Sequence, residues 1–323
     1  MVIVEDIIFL SPDFKERIWG GNKLNTKFGY DIPSENTGEC WAIAGHPNGS
    51  STVRLGEYKG MTLGELWDEH RDLFGNMSGD RFPLMVKIID AKEDLSIQVH
   101  PNDEYAMKNE KGSFGKTECW YVLDAPEGSS LVIGHNAQNK EQMISMIDNG
   151  QWKDLLHEVP VKKGDFVQIN PGTLHAIKGG LMILETQQNS DITYRVYDYD
   201  RVTDGKKREL HLDKAKEVTD ILTNPEYDYN KKKLAGGLVL DTSDAKMNTM
   251  YEMFTCKYYT IYKFLVSDSV TVKMTKPFML MSVVEGAGTA NGTYVEKGDN
   301  FIVPAGVDEF TLCGTMEVVA STI

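Results

Sequence analysis

The chain has 323 residues, 41% of them hydrophobic and 25% charged, with a formal net charge of -14. That length can bury one large core or two ordinary ones, and the composition excludes extensive disorder. The acidity disfavours nucleic acid and anionic membrane as partners, and a phosphorylated ligand would need cations gathered locally against the overall field.

In chain order, Met1–Leu10 carries acids and no basic region, so it does not read as a secretory leader. No apolar run approaches the ~18 residues of a membrane span. The four cysteines, Cys40, Cys119, Cys256 and Cys313, are far apart without a C-x-x-C pair. They read as reduced thiols of a cytoplasmic protein. Thr62–Phe74 has a helical stripe of Leu63, Leu66, Trp67, Leu73 and Phe74, and Thr62 with Glu65 makes a capping box. Short strands follow at Leu84–Ile89, Leu95–Val99, Cys119–Leu123, Phe166–Ile169 and Leu181–Glu185. A helix is expected over Asn139–Asn149, closed by Gly150, and another over His211–Leu222. Thr223–Lys233 is polar, contains Pro225 and reads as a link between domains. Beyond it come strands at Tyr259–Val266, Val270–Met274, Met279–Val284 and Phe301–Val303. Many short strands between turn signals predict a sandwich or barrel.

One internal echo stands out. Gly164 opens G-D-F-V-Q-I-N-P-G-T-L-H and Gly298 opens G-D-N-F-I-V-P-A-G-V-D-E. Both run Gly-Asp, a short apolar strand, then a Pro/Gly turn, with Glu309 near where the first copy has His175. A repeated barrel with one functional copy fits this, and two unrelated turns of similar chemistry fit nearly as well.

The chemistry concentrates in three places. In Leu95–Pro101, strand alternation puts Ile97 and Val99 on one face and Ser96, Gln98 and His100 on the other. Lys116 and Glu118 share a face at the start of the next strand, where a lone carboxylate would be costly unless paired or ligated. Pro171-Gly172 is a tight turn that delivers His175. Singly, His100 is a satisfied core histidine and Glu118 a salt-bridge partner. Together two histidines and a carboxylate, with Gln98 as a further oxygen, suit a catalytic divalent metal with an open position. No nucleotide-binding glycine motif is present.

The runs Q-V-H-P at Gln98–Pro101, K-T-E at Lys116–Glu118 and P-G-T-L-H-A-I at Pro171–Ile177 resemble the type I phosphomannose isomerases of the cupin superfamily. So do R-I-W-G-G at Arg17–Gly21, G-E-C-W-A-I-A at Gly38–Ala44, F-P-L-M-V-K-I-I-D-A at Phe82–Ala91 and Q-Q-N-S-D-I-T-Y-R-V-Y-D-Y-D-R at Gln187–Arg201. The resemblance implies an all-β fold of two cupin (jelly-roll) β-barrels with a small helical insertion. It implies a catalytic metal-binding domain over 1–225 and a metal-free cupin domain over 226–323. One divalent metal per chain, zinc, is expected on Gln98, His100, Glu118 and His175. Arg195, Asp191 and Lys116 correspond to catalytic positions, and Ser96, Lys87 and Arg17 are candidates for substrate contacts. Lys87 reads equally well as snorkelling to an edge, and Arg195 as pairing with Asp191, Asp198 or Asp200. Trp19, Trp41 and His46 match family positions and read as packing residues. Longer members carry a His before the lysine, in H-K-P-E; here the run is G-K-T-E, so that His has no counterpart. The implied activity interconverts mannose 6-phosphate and fructose 6-phosphate through an enediol, in a monomer or weak homodimer. The alternatives are a cupin isomerase for another sugar phosphate, such as glucose 6-phosphate, and a non-catalytic sugar-binding cupin.

Overall fold

The computed structural model describes residues 7–203, 205–221, 233–234 and 237–323. The linker expected over Thr223–Lys233 and the expected division at 225/226 therefore lie outside the described residues, Lys233 alone excepted. The chain is mostly strand, arranged as two antiparallel sheets that face each other and a third that packs behind them.

The larger sheet of the first half carries, side by side, Gly237–Asp241, Asp165–Ile169, Glu118–Asp124, Met182–Gln188, Leu84–Asp90, Thr37–His46 and Asp13–Gly21. The smaller one carries Leu156–Pro160, Ser130–His135, His175–Ile177, Ile97–Val99 and Tyr194–Tyr197. Alternation along one strand shows how the layers form. Trp120 and Val122 point between these two sheets, into a core with Leu131, Ile133, Val167 and Ile183. Cys119, Tyr121 and Leu123 point outward, against Ile261, Leu280, Ile302 and Val319 of the third sheet.

That third sheet is built from the C-terminal strands and closes on its own core of Phe264, Met281, Phe301, Phe310 and Val318. The halves exchange strands. Ile8–Ser11 pairs with Asn300–Val303 of the C-terminal sheet, and Gly237–Asp241 pairs with Asp165–Ile169 of the first half. Each exchanged strand covers an edge that would otherwise expose unpaired backbone groups.

The echo seen in the sequence is a structural echo. Gly164 and Gly298 both adopt positive φ, at 89° and 96°. In each copy the following Asp turns back to accept the backbone N–H three residues earlier, Lys162 to Asp165 and Glu296 to Asp299, both at 2.9 Å. Short strands then follow, Asp165–Ile169 and Asn300–Val303. Glu309 is exposed.

The helices flank the sheets. Leu63–Glu69 is capped by Thr62 and Glu65 as the capping box requires. It ends at His70, and Arg71–Phe74 continues as a 3₁₀ turn rather than as one helix. Lys140–Asp148 starts at the Asn139 cap, and Gly150 follows its end at φ 63°. The helix expected over His211–Leu222 spans Leu212–Val218. Met143, Ile147 and Ala215 from these last two pack on Ile97 and Val99, the outward face of the Ile97–Val99 strand. The opposite face, with Ser96, Gln98 and His100, is thereby turned inward.

Candidate active site

Both sheets contribute one cross-strand row to the space between them. On the small sheet, Gln98 lies directly opposite His175 on one side and Arg195 on the other. On the large sheet, Trp120, Glu185, Lys87 and Trp41 stand opposite one another in sequence across four strands. Register thus fixes which polar groups meet.

His100, Glu118 and His175 converge, at 1%, 0% and 0% exposure of their side chains. His100 donates its Nδ1–H to the Ile192 carbonyl and His175 donates its Nδ1–H to the Thr173 carbonyl, both at 2.8 Å. A carbonyl can only accept, so both rings hold the proton on Nδ1 and turn an Nε2 lone pair inward. Those two Nε2 atoms are 3.2 Å apart. Glu118 Oε1 lies 3.3 Å from His175 Nε2, and Oε2 lies 3.4 Å from His100 Nε2. Burial, with the Lys116 ammonium adding to it, holds His100 down to about 3; burial also lowers His175. Burial works to raise the Glu118 carboxyl, but Lys116 and His100 outweigh it and the net direction is down. Two neutral imidazoles and a carboxylate therefore face one another with their acceptor atoms, and among the described residues neither Glu118 oxygen accepts a well-directed hydrogen bond. That donor set fits a divalent cation. The Gln98 amide reaches to 3.4 Å from His175 Nε2, and its oxygen can take the same place by an amide flip.

Local geometry brings these groups together. Gly172, at φ 83°, donates its N–H to the His100 carbonyl at 2.9 Å, tying the turn that presents His175 to the end of the Gln98 strand. A Cβ at Gly172 would crowd the Asp220 carboxylate at 2.6 Å, and the positive φ favours glycine there.

Beside this cluster opens a cavity of about 670 Å³, whose wall includes Arg17, Lys87, Ser96, Gln98, Lys116, Asp191 and Arg195. Lys116 is buried, 2.7 Å from Glu118 Oε2 and 3.2 Å from His100 Nε2. Lys87 faces the cavity rather than an edge, 3.2 Å from Glu185 and 5.4 Å from the Trp41 ring centre. Arg17 lies on the wall with its fork taken by Glu39, at 2.9 and 3.1 Å. Asp191 contacts Asn48 and, at 3.7 Å, His46.

Arg195 differs from its neighbours. Its Nη1 donates to the Glu209 carbonyl at 2.8 Å, while its buried Nε has no hydrogen-bond partner among the described residues. Among the described residues no carboxylate forms an ion pair with Arg195. Asp198 is instead held by Arg201 and Arg208, and Asp200 by Lys207. The cavity thus contains a guanidinium with no carboxylate in ion-pair contact among the described residues.

Several lining residues escaped the sequence reading. Glu185 shares a face with Ile183 in an apolar strand, the same signal that singled out Glu118, and it accepts from Trp120 Nε1 at 3.1 Å. Burial raises its pKa, with Lys116 opposing. Glu39 sits beside Cys40 and Trp41 and accepts from the Trp41 indole at 2.6 Å. Trp19 and Trp41, read as packing residues, stand on the cavity wall. Arg208, in a run of charged residues, carried no signal.

Residues 7–146 match the model of the phosphomannose isomerase type I catalytic domain, and residues 248–323 match that of the mannose-6-phosphate isomerase cupin domain. The chain is 50% identical over 319 residues to mannose-6-phosphate isomerase ManA of Bacillus subtilis, covering 97% of this chain and 98% of that one. It is 45% identical to a mannose-6-phosphate isomerase of Streptococcus mutans, over 97% of each chain. The crystal structure of the mannose 6-phosphate isomerase from Bacillus subtilis superposes with a TM-score of 0.89 at 44% identity, over 99% of this chain and 100% of that one. A mutant phosphomannose isomerase from Salmonella typhimurium shares the fold, with a TM-score of 0.78 at 14% identity over 98% and 99% of the two chains. On the strength of these full-length likenesses, the chain belongs to the type I phosphomannose isomerases.

Proposed function

We propose that this chain interconverts mannose 6-phosphate and fructose 6-phosphate by moving a proton between C2 and C1 of the sugar, with zinc held by Gln98, His100, Glu118 and His175. The observation that carries this reading is the convergence of three buried acceptor groups behind Gln98 and Lys116, two residues on the wall of a cavity that also holds Arg195. Bound there, the metal supplies positive charge and Lewis acidity beside the sugar oxygens.

The chain's own groups take the remaining roles. Arg195 offers free donors of fixed geometry to the anionic part of the substrate or to the oxyanion that develops during proton transfer. Lys116 keeps its charge in the buried site. Burial alone would lower its pKa, but Glu118 and Glu185 outweigh this and raise it. It can donate to a sugar oxygen as negative charge builds there. Two carboxyls, Glu39 and Glu185, line the cavity, and their settings part them. Burial works to raise Glu39, but Lys87 and Arg17 outweigh it and hold it down to about 2, which makes it a poor base. Glu185 is raised, so it is the group suited to take and return the carbon-bound proton. Asp191, near the cavity mouth with Asn48, handles protons of the sugar hydroxyls. Ser96, Lys87 and Arg17 complete the polar wall. We place the activity in the cytoplasm; no helix among the described residues is long and apolar enough to cross a membrane.

The test is a coupled assay of the zinc-loaded protein with mannose 6-phosphate and glucose 6-phosphate side by side. Fructose 6-phosphate should form from the first at least about 100-fold faster, since a site built around substrate hydroxyls rejects the wrong epimer strongly. Equal rates with both sugars would assign another specificity. No product from either would leave a sugar-binding cupin.

A further inference from the structure

His100 and Glu118 stand at the two ends of one chain excursion, which runs out through the helix Asp103–Asn109 and returns at Gly115. Their separation depends on how that excursion is closed. One backbone bond does part of this, Lys116 N–H to the Pro101 carbonyl at 3.0 Å. The rest is done by side chains. Asp103 Oδ1 accepts the Gly115 N–H and the Gln188 amide N–H, both at 2.9 Å. Gln188 Oε1 in turn accepts the N–H of Thr117, between Lys116 and Glu118, at 2.9 Å. Gly115 passes so close that a Cβ there would lie 2.5 Å from the Asn102 carbonyl carbon and the Asp103 nitrogen.

The other oxygen of Asp103 is held from outside the catalytic half. Tyr258 donates its hydroxyl to Asp103 Oδ2 at 2.8 Å. Tyr258 sits at the tip of the hairpin that joins Met250–Thr255 to Thr260–Val266, a turn closed by the Cys256 N–H to the Tyr259 carbonyl at 2.9 Å.

We propose that the C-terminal domain serves the reaction through this contact, with Tyr258 as a positioning residue that fixes Lys116 and Glu118 by way of Asp103 and Gln188. The inference rests on the reading of His100 and Glu118 as metal ligands. It gives the C-terminal hairpin a role beyond covering the outer face of the large sheet.

The experiment is Tyr258→Phe in the full chain, which removes one hydroxyl and keeps the ring. Three readouts are taken: zinc release to a chromophoric chelator, the kcat and KM for mannose 6-phosphate, and the melting temperature. Release should become about 10-fold faster and kcat should fall several-fold, as for other groups that orient a metal ligand from behind. KM and the melting temperature should hardly move. Asp103→Asn should give a similar loss, and the double variant should be no worse than the more affected single one. Thr255→Val removes hairpin bonds to Glu252 and Thr260 that do not reach the excursion, and it should leave release unchanged. Wild-type release and kcat in Tyr258→Phe would overturn the inference. So would an equal loss in Thr255→Val, which would mark general loosening of the interface. If wild-type protein binds zinc but makes no fructose 6-phosphate, the proposed function fails, while the release arm still decides the positioning role.

Discussion

The replacement of Glu118 by Gln probes the site at its most buried charge. Lys116 and Glu118 form an ion pair at 2.7 Å, with side chains 5% and 0% exposed. Water does little to screen such a pair, so a surface discount does not apply. Gln keeps the shape, removes the anion and leaves the Lys116 ammonium buried without its nearest partner. Breaking a buried pair on one side costs about 3–5 kcal/mol. Glu185 also acts on Lys116 and offsets part of the loss, which points to the lower end, about 3 kcal/mol. For a chain of this size that is a fall in melting temperature of roughly 4–5 °C. The comparison belongs in excess chelator, so that bound metal stabilises neither protein. In zinc the gap should widen, because saturation at about 100 times Kd adds roughly 2.7 kcal/mol to wild type alone. The double variant Lys116→Met/Glu118→Gln removes both charges and should recover most of the chelator-state loss. A Glu118→Gln protein that melts within about 1.5 °C of wild type in chelator, on the same scale of roughly 1.5 °C per kcal/mol, would refute the reasoning.

Other outcomes follow from the same geometry. Arg195→Ala should lower kcat by about 100-fold with metal content unchanged, as removal of a transition-state donor does; a raised KM at wild-type kcat would move its role to phosphate binding. Trp120→Phe removes the N–H that favours ionised Glu185, so the pKa of Glu185 rises further and the acidic limb of the rate profile should move to higher pH. An unmoved limb would take Glu185 out of the proton transfer. Glu39, held down to about 2, contributes stability that is present above its unfolded value of about 4.3 and is lost as pH falls from there through the folded value. Acid titration of the melting temperature should therefore fall more steeply for wild type than for Glu39→Gln between those limits, and parallel curves would contradict the assignment.

How much of this was legible in the sequence depends on the signal each residue sends. Strand alternation sufficed for Gln98 and His100, because Ile97 and Val99 needed the helix-covered face. It would have sufficed for Glu185 and Glu39 had it been applied to every buried acid in an apolar strand. The helix Asp103–Asn109 was missed because its buried residue is Ala106 alone, too little for an apolar stripe. Thr62–Phe74 kept its stripe across a break at His70, since an α turn and a 3₁₀ turn offer similar spacing over so short a run. The strand exchange was invisible because pairing between Ile8–Ser11 and Asn300–Val303 is set by tertiary packing, not by either segment's pattern. Arg195 was found by resemblance, but its lack of a carboxylate ion pair among the described residues is a fact of the fold: Asp198 turns to Arg201 and Arg208, Asp200 to Lys207, and Asp191 to Asn48 and His46.

The central claim is that the histidine–glutamate cluster holds a metal ion on which the isomerisation depends. The most direct measurement titrates metal-free protein with zinc and follows bound metal and fructose 6-phosphate formation in the same samples. The rate should rise in proportion to bound zinc and level off at about one equivalent, the capacity of a single mononuclear site. His100→Ala should stay folded, bind no zinc at that level and show no rise. A metal-free protein that already turns over at the full rate would contradict the claim, as would a fully loaded protein that forms no fructose 6-phosphate.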